Sequence, residues 1–154
     1  MIECIGYERV NNLYFNDSPE KAIEVFGEPT QKSKSETYTL KFYYDISNKD
    51  DYDFQIIFEN NEFSEFILYP HTEATINGIK IGWDLKDILN IIKIDTNPRM
   101  DNYDIILYDL GISFGDFKKI GNYDNRTINL FKKGELDEFK DDTQPFNKNL
   151  YLEE

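Results

Sequence analysis

Two stretches of the chain, 66 residues apart, share one pattern of apolar and polar positions. Residues 10–26 have the sequence VNNLYFNDSPEKAIEVF, and residues 76–92 have the sequence INGIKIGWDLKDILNII. In each stretch a dipeptide that tolerates positive φ separates short apolar segments, and residues that place their apolar side chains on one helical face follow. The pattern predicts a β-hairpin followed by an amphipathic helix in both places.

Both predicted helices have start signals, and the first also has a stop signal. Ser18 is a good N-cap, and Pro19 suits the first helical position because its missing N–H is not needed there. Gly27 favours a C-cap in the left-handed region. In the second stretch Asp84 is the equivalent N-cap, and Asp87 stands three residues later, as in a capping box. Helices are therefore expected to begin at residues 19 and 85.

A second match lies downstream, at an offset of 73 residues. NNEFSEF at 60–66 aligns with KGELDEF at 133–139, which predicts hairpin turns at Asn60-Asn61 and Lys133-Gly134. Apolar and aromatic segments between the anchors predict further strands at 38–45, 55–59, 103–109 and 127–131. The change of offset predicts about seven extra residues in the second copy, within residues 115–125.

Two matches in the same order indicate a tandem duplication. We expect an α+β fold made of two hairpin–helix–strand–hairpin repeats that form antiparallel sheet, with the helices packed on one face. Residues 1–154 are expected to form a single compact domain, and the opposite face of the sheet to be solvated. The boundaries are about 9–69 for repeat one, 70–75 for the linker, 76–142 for repeat two and 143–154 for a tail that adds an edge strand or wraps the body.

The composition fits a folded domain with a normal core. Of 154 residues, 40% are hydrophobic and 16% aromatic, which excludes a disordered chain. A single Cys excludes a disulfide within the chain and a thiolate zinc site. The first residues lack the basic and apolar regions of a signal peptide, and no apolar run is long enough to span a bilayer, so a cytoplasmic location is expected.

The charge balance bears on the partner. Thirty acidic residues against 17 basic ones give a net charge of -13, which disfavours nucleic acid and anionic membranes. It favours a basic protein partner and electrostatically steered association. The first half of the chain carries the larger share of the excess and is the better candidate surface. The alternative is that the acidity only maintains solubility.

No catalytic, metal or cofactor site is predicted, so the chain is not expected to be an enzyme. The loop DISNKDDYD at 45–53 has Asp50 and Ile56 where a calcium loop needs Gly and Glu. His71 lies in the linker, outside any known catalytic motif. Acidic loops and tyrosines can bind a protein partner instead. The expected contact residues are Asp50, Asp51, Asp53, Asp109, Asp116, Asp124, Tyr44, Tyr52 and Tyr123.

The first repeat resembles a unit shared by the β-lactamase inhibitor protein and small outer-membrane assembly lipoproteins. That unit has a capped helix ending in a Phe-Gly-x-Pro turn, matched by residues 26–29, then an aromatic strand, matched at Tyr43, and a hairpin, matched at Phe58 and Phe63. In the second copy Ile92, Lys93 and Asp95 replace the Phe-Gly-Pro residues, so that copy matches only in pattern. The resemblance implies a helix packed on antiparallel sheet.

The duplicated, acidic build resembles bacterial immunity proteins of contact-dependent inhibition and related polymorphic toxin systems, through size and charge and not through a residue motif. That resemblance implies a cytoplasmic protein that binds and neutralises a cognate toxin domain, often a basic nuclease. Two alternatives stay open. One is a secreted or periplasmic inhibitor or assembly scaffold that shares the repeat fold, and the other is a small enzyme that uses carboxylates.

Overall fold

A computed structural model describes residues 1–46, 51–118 and 123–149, apart from the side chain of residue 141. These residues form a mixed α+β fold with two α-helices and two β-sheets, so the predicted fold class is confirmed. The strands are β1 (Ile2–Ile5), β2 (Arg9–Val10), β3 (Leu13–Tyr14), β4 (Gln31–Lys34), β5 (Thr39–Tyr44), β6 (Phe54–Glu59), β7 (Glu62–Leu68), β8 (Ala74–Ile76), β9 (Ile79–Lys80), β10 (Arg99–Met100), β11 (Asp104–Leu107), β12 (Ile112–Gly115), β13 (Thr127–Phe131) and β14 (Gln144–Pro145). The helices are α1 (Pro19–Phe26) and α2 (Leu85–Ile92), with 3-10 helices at Tyr123–Asn125 and Asp137–Asp142.

The strands form two sheets, a division that the sequence pattern did not indicate. The larger sheet has the order β14-β10-β11-β12-β13-β7-β6-β5-β4 and is antiparallel throughout. The smaller sheet has the order β3-β2-β1-β8-β9, and its β1–β8 pair is parallel. Strand β1 precedes the predicted first repeat and joins the hairpins β2–β3 and β8–β9. The sequence pattern missed it because four residues are too few to show a periodicity.

Both helices begin where the capping residues predict. The Ser18 hydroxyl accepts a hydrogen bond from the backbone N–H of Lys21 at 3.2 Å. The Gly27 N–H closes the helix on the carbonyl of Ile23 at 2.8 Å, and Gly27 adopts a φ of 86°. At the second helix the Asp84 N–H donates to Asp87 Oδ2 at 3.3 Å. Local capping chemistry therefore sets these boundaries.

Three of the four predicted hairpin turns are confirmed, and the fourth is wrong. Asn11, Asn60-Asn61 and Asn77-Gly78 adopt positive φ in two-residue turns between paired strands. At Lys133-Gly134 the chain continues into the 3-10 helix Asp137–Asp142. Strand β13 already pairs with β12 on one side and with β7 on the other, so no edge is left for a strand at 135–139.

Residues 116–126, which include most of the segment where an insertion is predicted, connect β12 to β13, and the insertion itself stays a prediction. In the predicted tail, β14 pairs with β10 and forms an edge strand of the larger sheet. Strand β12, formed by residues 112–115, was not predicted and occupies the position beside β13.

One apolar cluster joins the two sheets and the helices. Phe26 of α1 packs on the inner face of the larger sheet, with its ring 5.2 Å from that of Phe54 and 5.8 Å from that of Phe66. The outer face of that sheet is more buried than predicted. Gln55 and Ile106, which point outward, are only 5% and 3% exposed. None of the helices in the described ranges is both long enough and apolar enough to cross a membrane.

Candidate functional site

Two acidic segments far apart in the sequence meet at one concave surface. A cavity of about 220 Å³ is lined by Asp51, Tyr52, Asp53, Tyr69, Pro70, His71 and Asp124. We call this cavity the acidic pocket. It brings together four of the nine residues expected to contact a partner, namely Asp51, Tyr52, Asp53 and Asp124. A fifth expected residue, Asp50, lies outside the described residues.

Asp53 is the structural anchor of the pocket, at the point where the β5–β6 connection rejoins the sheet. Its backbone N–H donates to the carbonyl of Tyr44 at 2.8 Å, and its Oδ2 accepts from the N–H of Ile46 at 2.7 Å. Its carbonyl accepts from Thr72 Oγ1 at 2.6 Å and from the N–H of Tyr69 at 3.1 Å. These bonds fix the connection against the linker that follows β7.

Aromatic rings form the walls of the pocket. The Tyr52 ring lies 4.9 Å from that of Tyr43, and its hydroxyl donates to Gln31. The Tyr69 hydroxyl donates to Gln55 Oε1 at 2.7 Å. Burial, assisted by neighbouring tyrosines and carboxylates, raises the pKa of Tyr69 to about 12. Tyr69 therefore stays protonated and hydrogen-bonded at neutral pH.

His71, the only histidine in the sequence, lines this pocket, although no sequence motif predicts a role for it. It is exposed and adopts a φ of 73°. Its ring lies 5.4 Å from the ring of Tyr123, one of the expected aromatic contacts. Both belong to connections that only the folded chain brings together, so no local signal could have paired them.

The wall that carries Tyr123 and Asp124 is a 3-10 turn followed directly by Arg126. Arg126 is 6% exposed, and its guanidinium carbon lies 5.1 Å from the centre of the Tyr123 ring. Its Nη1 donates to Asp84 Oδ1 at 3.1 Å and to the carbonyl of Trp83. No sequence signal indicates a role for Arg126, because a single arginine before an apolar strand forms no motif.

An exposed apolar side chain stands beside the acids. Ile46 is 68% exposed, and its N–H is bound by the Asp53 carboxylate. Protein interfaces often combine an apolar contact with a charged rim. The pocket and Ile46 together offer that combination. In the part of the chain that the structure describes, no group of three or more His, Cys, Asp or Glu side chains is arranged to hold a metal ion.

The remaining expected contact residues lie elsewhere. Tyr44 is 2% exposed, and its hydroxyl donates to the carbonyl of Gly27 at 2.9 Å, so it belongs to the core and is not available as a surface anchor. Burial raises the pKa of Tyr44 to about 12. Asp109 caps a turn by accepting from the N–H and hydroxyl of Thr96, at 2.7 and 2.6 Å, which lowers its pKa. Asp116 adopts a φ of 62°, and its N–H donates to the carbonyl of Tyr103 at 3.1 Å.

A second group of acids gives a pH-dependent stability. Burial, together with the charges of Asp101 and Asp116, raises the pKa of Asp104 to about 6. The folded state therefore disfavours the ionised carboxylate. Asp104 therefore contributes fully to the stability of the folded protein below its unfolded pKa of about 3.9, where its carboxyl is neutral. This contribution is lost as the pH rises through the folded pKa of about 6.

Asp104→Asn should therefore raise the free energy of unfolding at pH 7.5 by about 1–2 kcal/mol, after allowance for the partial exposure of the side chain, and have little effect near pH 4. Urea unfolding at both pH values measures the difference. Asp109→Asn is the control of opposite sign, since the pKa of Asp109 is lowered and its loss should destabilise at neutral pH. Equal effects of Asp104→Asn at both pH values would contradict the prediction.

In comparisons with known proteins, no family model, no curated protein and no solved structure matches the chain.

Proposed function

We propose that this protein is a non-enzymatic immunity protein, which binds and neutralises a basic toxin domain of a bacterial polymorphic toxin system in the cytoplasm. The observation that carries the proposal is the acidic pocket, where Asp51, Asp53 and Asp124 meet aromatic walls on a chain of net charge -13. The resemblance of the acidic, duplicated sequence to such immunity proteins supports the same function.

The chemistry of the pocket suits a lysine or arginine side chain of the partner. A carboxylate about 4 Å from a cation contributes about 4 kcal/mol of attraction at an effective dielectric constant near 20, before the cost of desolvation. A cation over a tyrosine ring adds about 0.5–2 kcal/mol. Tyr52 and Tyr69 are held by hydrogen bonds to glutamines, so little side-chain entropy is lost when a cation enters between them.

The net charge supports association with a basic partner as well as recognition. A surface of charge -13 draws a cationic domain over distances comparable with the Debye length of about 8 Å at physiological salt. Such steering raises the association rate and weakens as salt is added. The toxin would be neutralised by occupation of its active site or of a neighbouring basic surface.

The tandem duplication belongs to the same proposal. Strands β4–β7 and β10–β13 run outward from the central β7–β13 pair, and each set follows a hairpin and a helix. We take β7 and β13 as equivalent strands of two repeats, in place of the equivalence of β6 and β13 that the downstream sequence match suggests. The long β12–β13 connection then carries the pocket residue Asp124 and its neighbour Tyr123 as an addition to the second repeat.

The direct test compares two triple variants of equal net charge. Asp51→Asn/Asp53→Asn/Asp124→Asn removes the carboxylates of the pocket, and Glu8→Gln/Glu20→Gln/Glu62→Gln removes exposed ones elsewhere. The tagged protein is used to recover partners from the native host, and affinity for the recovered domain is measured at two salt concentrations. The pocket variant should bind at least tenfold more weakly at low salt and show a flatter salt dependence, because three charge-assisted contacts are lost.

The two possible failures are distinct. Equal affinities of the two triple variants would place the interface elsewhere on the protein. If no basic domain is recovered from cells that express the neighbouring genes, the immunity function itself is wrong.

A further inference from the structure

We infer that Arg126 is the positioning residue of the acidic pocket: it holds Tyr123 and Asp124 in the pocket wall opposite His71. This inference rests on the proposed function, since it assigns how the binding site for a cation is built. Arg126 is itself a cation close to a cation site, so its role there needs an explanation other than direct attraction.

The side chain of Arg126 joins several elements of the fold. Its Nε donates to the carbonyl of Asp116 at 3.3 Å and one Nη donates to that of Lys118 at 3.4 Å. Its other Nη contacts Asp84 and the carbonyl of Trp83, at the start of α2. One side chain thus ties the β12–β13 connection to the beginning of a helix.

The guanidinium of Arg126 also stacks on two aromatic rings. Its guanidinium carbon lies 5.1 Å from the ring centre of Tyr123 and 5.4 Å from that of Phe117. The backbone N–H of Arg126, which any residue would supply, also donates to the carbonyl of Tyr123 at 3.1 Å. Phe117 is fully buried and stacks on Trp83, with the ring centres 5.9 Å apart. Tyr123 is therefore held against a buried layer on one side and faces His71 on the other.

Only arginine can supply this set of side-chain contacts. A guanidinium is planar, has five N–H donors on three nitrogens, and can stack on rings. The ammonium of lysine is not planar, and its single nitrogen cannot donate to groups that lie far apart. Arg126→Lys keeps the positive charge but loses the planar set of N–H donors, so this variant separates the positioning role from the electrostatic one.

The positive charge of Arg126 allows a positioning role to be distinguished from a purely electrostatic one by the direction of the change in affinity. Removing a positive charge near an acidic pocket should strengthen the binding of a cation if only Coulomb attraction matters. If Arg126 positions Tyr123 and Asp124, its removal should weaken binding in spite of the more negative pocket. The two roles therefore predict opposite changes in affinity.

The experiment uses the full chain and a tetra-arginine amide peptide as the probe, with affinity measured by calorimetry. Arg126→Met should bind the probe at least fivefold more weakly than the unmodified protein, and Arg126→Lys should lie between the two. Arg9→Met is the matched control, since Arg9 pairs with Glu3 on the smaller sheet; it should bind as tightly as the unmodified protein or more tightly. Circular dichroism establishes that each variant is folded at the temperature used.

A second measurement reports on the pocket wall without any ligand. The protein has one histidine, so the imidazole proton resonances of His71 are unique in the NMR spectrum. The Tyr123 ring is close enough to shift them, and Arg126→Met should move them toward the values of an exposed histidine. Arg9→Met should leave them unchanged.

Each outcome decides a stated claim. Binding by Arg126→Met that equals or exceeds that of the unmodified protein overturns the positioning role, as does an unchanged His71 resonance. If the unmodified protein binds the probe no better than the pocket variant Asp51→Asn/Asp53→Asn/Asp124→Asn, the cation site of the proposed function fails. The His71 resonance still tests Arg126 in that case.

Discussion

Replacing Phe66 with alanine should lower the free energy of unfolding by about 3–5 kcal/mol, the largest effect that we expect from a single substitution. Phe66 is fully buried in β7, the strand where the two halves of the larger sheet join. Its ring lies 5.1 Å from that of Phe54 and 5.8 Å from that of Phe26. The substitution removes contacts to both the sheet and α1 and leaves a cavity that the rigid strands cannot fill.

Chemical denaturation followed by the fluorescence of the single tryptophan, Trp83, measures this change. Phe139→Ala is the matched control, because Phe139 is 42% exposed in a 3-10 helix and its truncation should cost less than about 1 kcal/mol. Similar losses for both variants would show that Phe66 does not lie at a packed joint.

Gly6→Ala should destabilise the protein by about 2–3 kcal/mol through overpacking. A Cβ at Gly6 would lie well inside van der Waals contact with the backbone carbonyl of Leu110, which cannot rotate away as a side chain could. The neighbouring Tyr7 hydroxyl donates to the carbonyl of Tyr108. The turn after β1 is thus pressed against the β11–β12 turn, and the two sheets are joined there by backbone as well as side chains.

Gly78→Ala separates this steric clash from backbone strain. Gly78 has a φ of 84° and open space around its Cα, so alanine there should cost only about 1–2 kcal/mol for the left-handed conformation. Differential scanning calorimetry of both variants gives the comparison. A smaller loss for Gly6→Ala than for Gly78→Ala would contradict the close approach at Leu110.

The features that the sequence predicted are those that neighbouring residues determine. Ser18 and Pro19 start a helix wherever the chain places them, and the turn at Asn60-Asn61 needs only residues that tolerate positive φ. The turn predicted at Lys133-Gly134 failed for a non-local reason, since β7 already occupies the edge of β13 that the returning strand would need. Gly134 does adopt the positive φ that a turn needs, but the strand β7 takes the place beside β13.

The site was predicted in its parts but not in its assembly. Asp51 and Asp124 were both chosen as acidic residues in loops, yet nothing in the sequence indicates that they line one cavity. Tyr44 lies in a strand, where successive side chains point to opposite faces, and it points to the core face of the sheet. Arg126 and His71 were missed because their importance comes from contacts with residues that are distant in sequence.

The parallel pairing of β1 with β8 has a consequence for synthesis on the ribosome. Residues 2–4 pair with residues 74–76, so one edge of β1 has no partner until about half of the chain has emerged, although β2 can cover the other edge early. Pairings between such distant segments form late because a long loop must be closed first. Strand β7 likewise waits for β13, near residue 127, before its second edge is covered. A nascent first half therefore exposes two strand edges that the complete sheets cover, and the second of them, on β7, is protected from mispairing only after β13 has emerged.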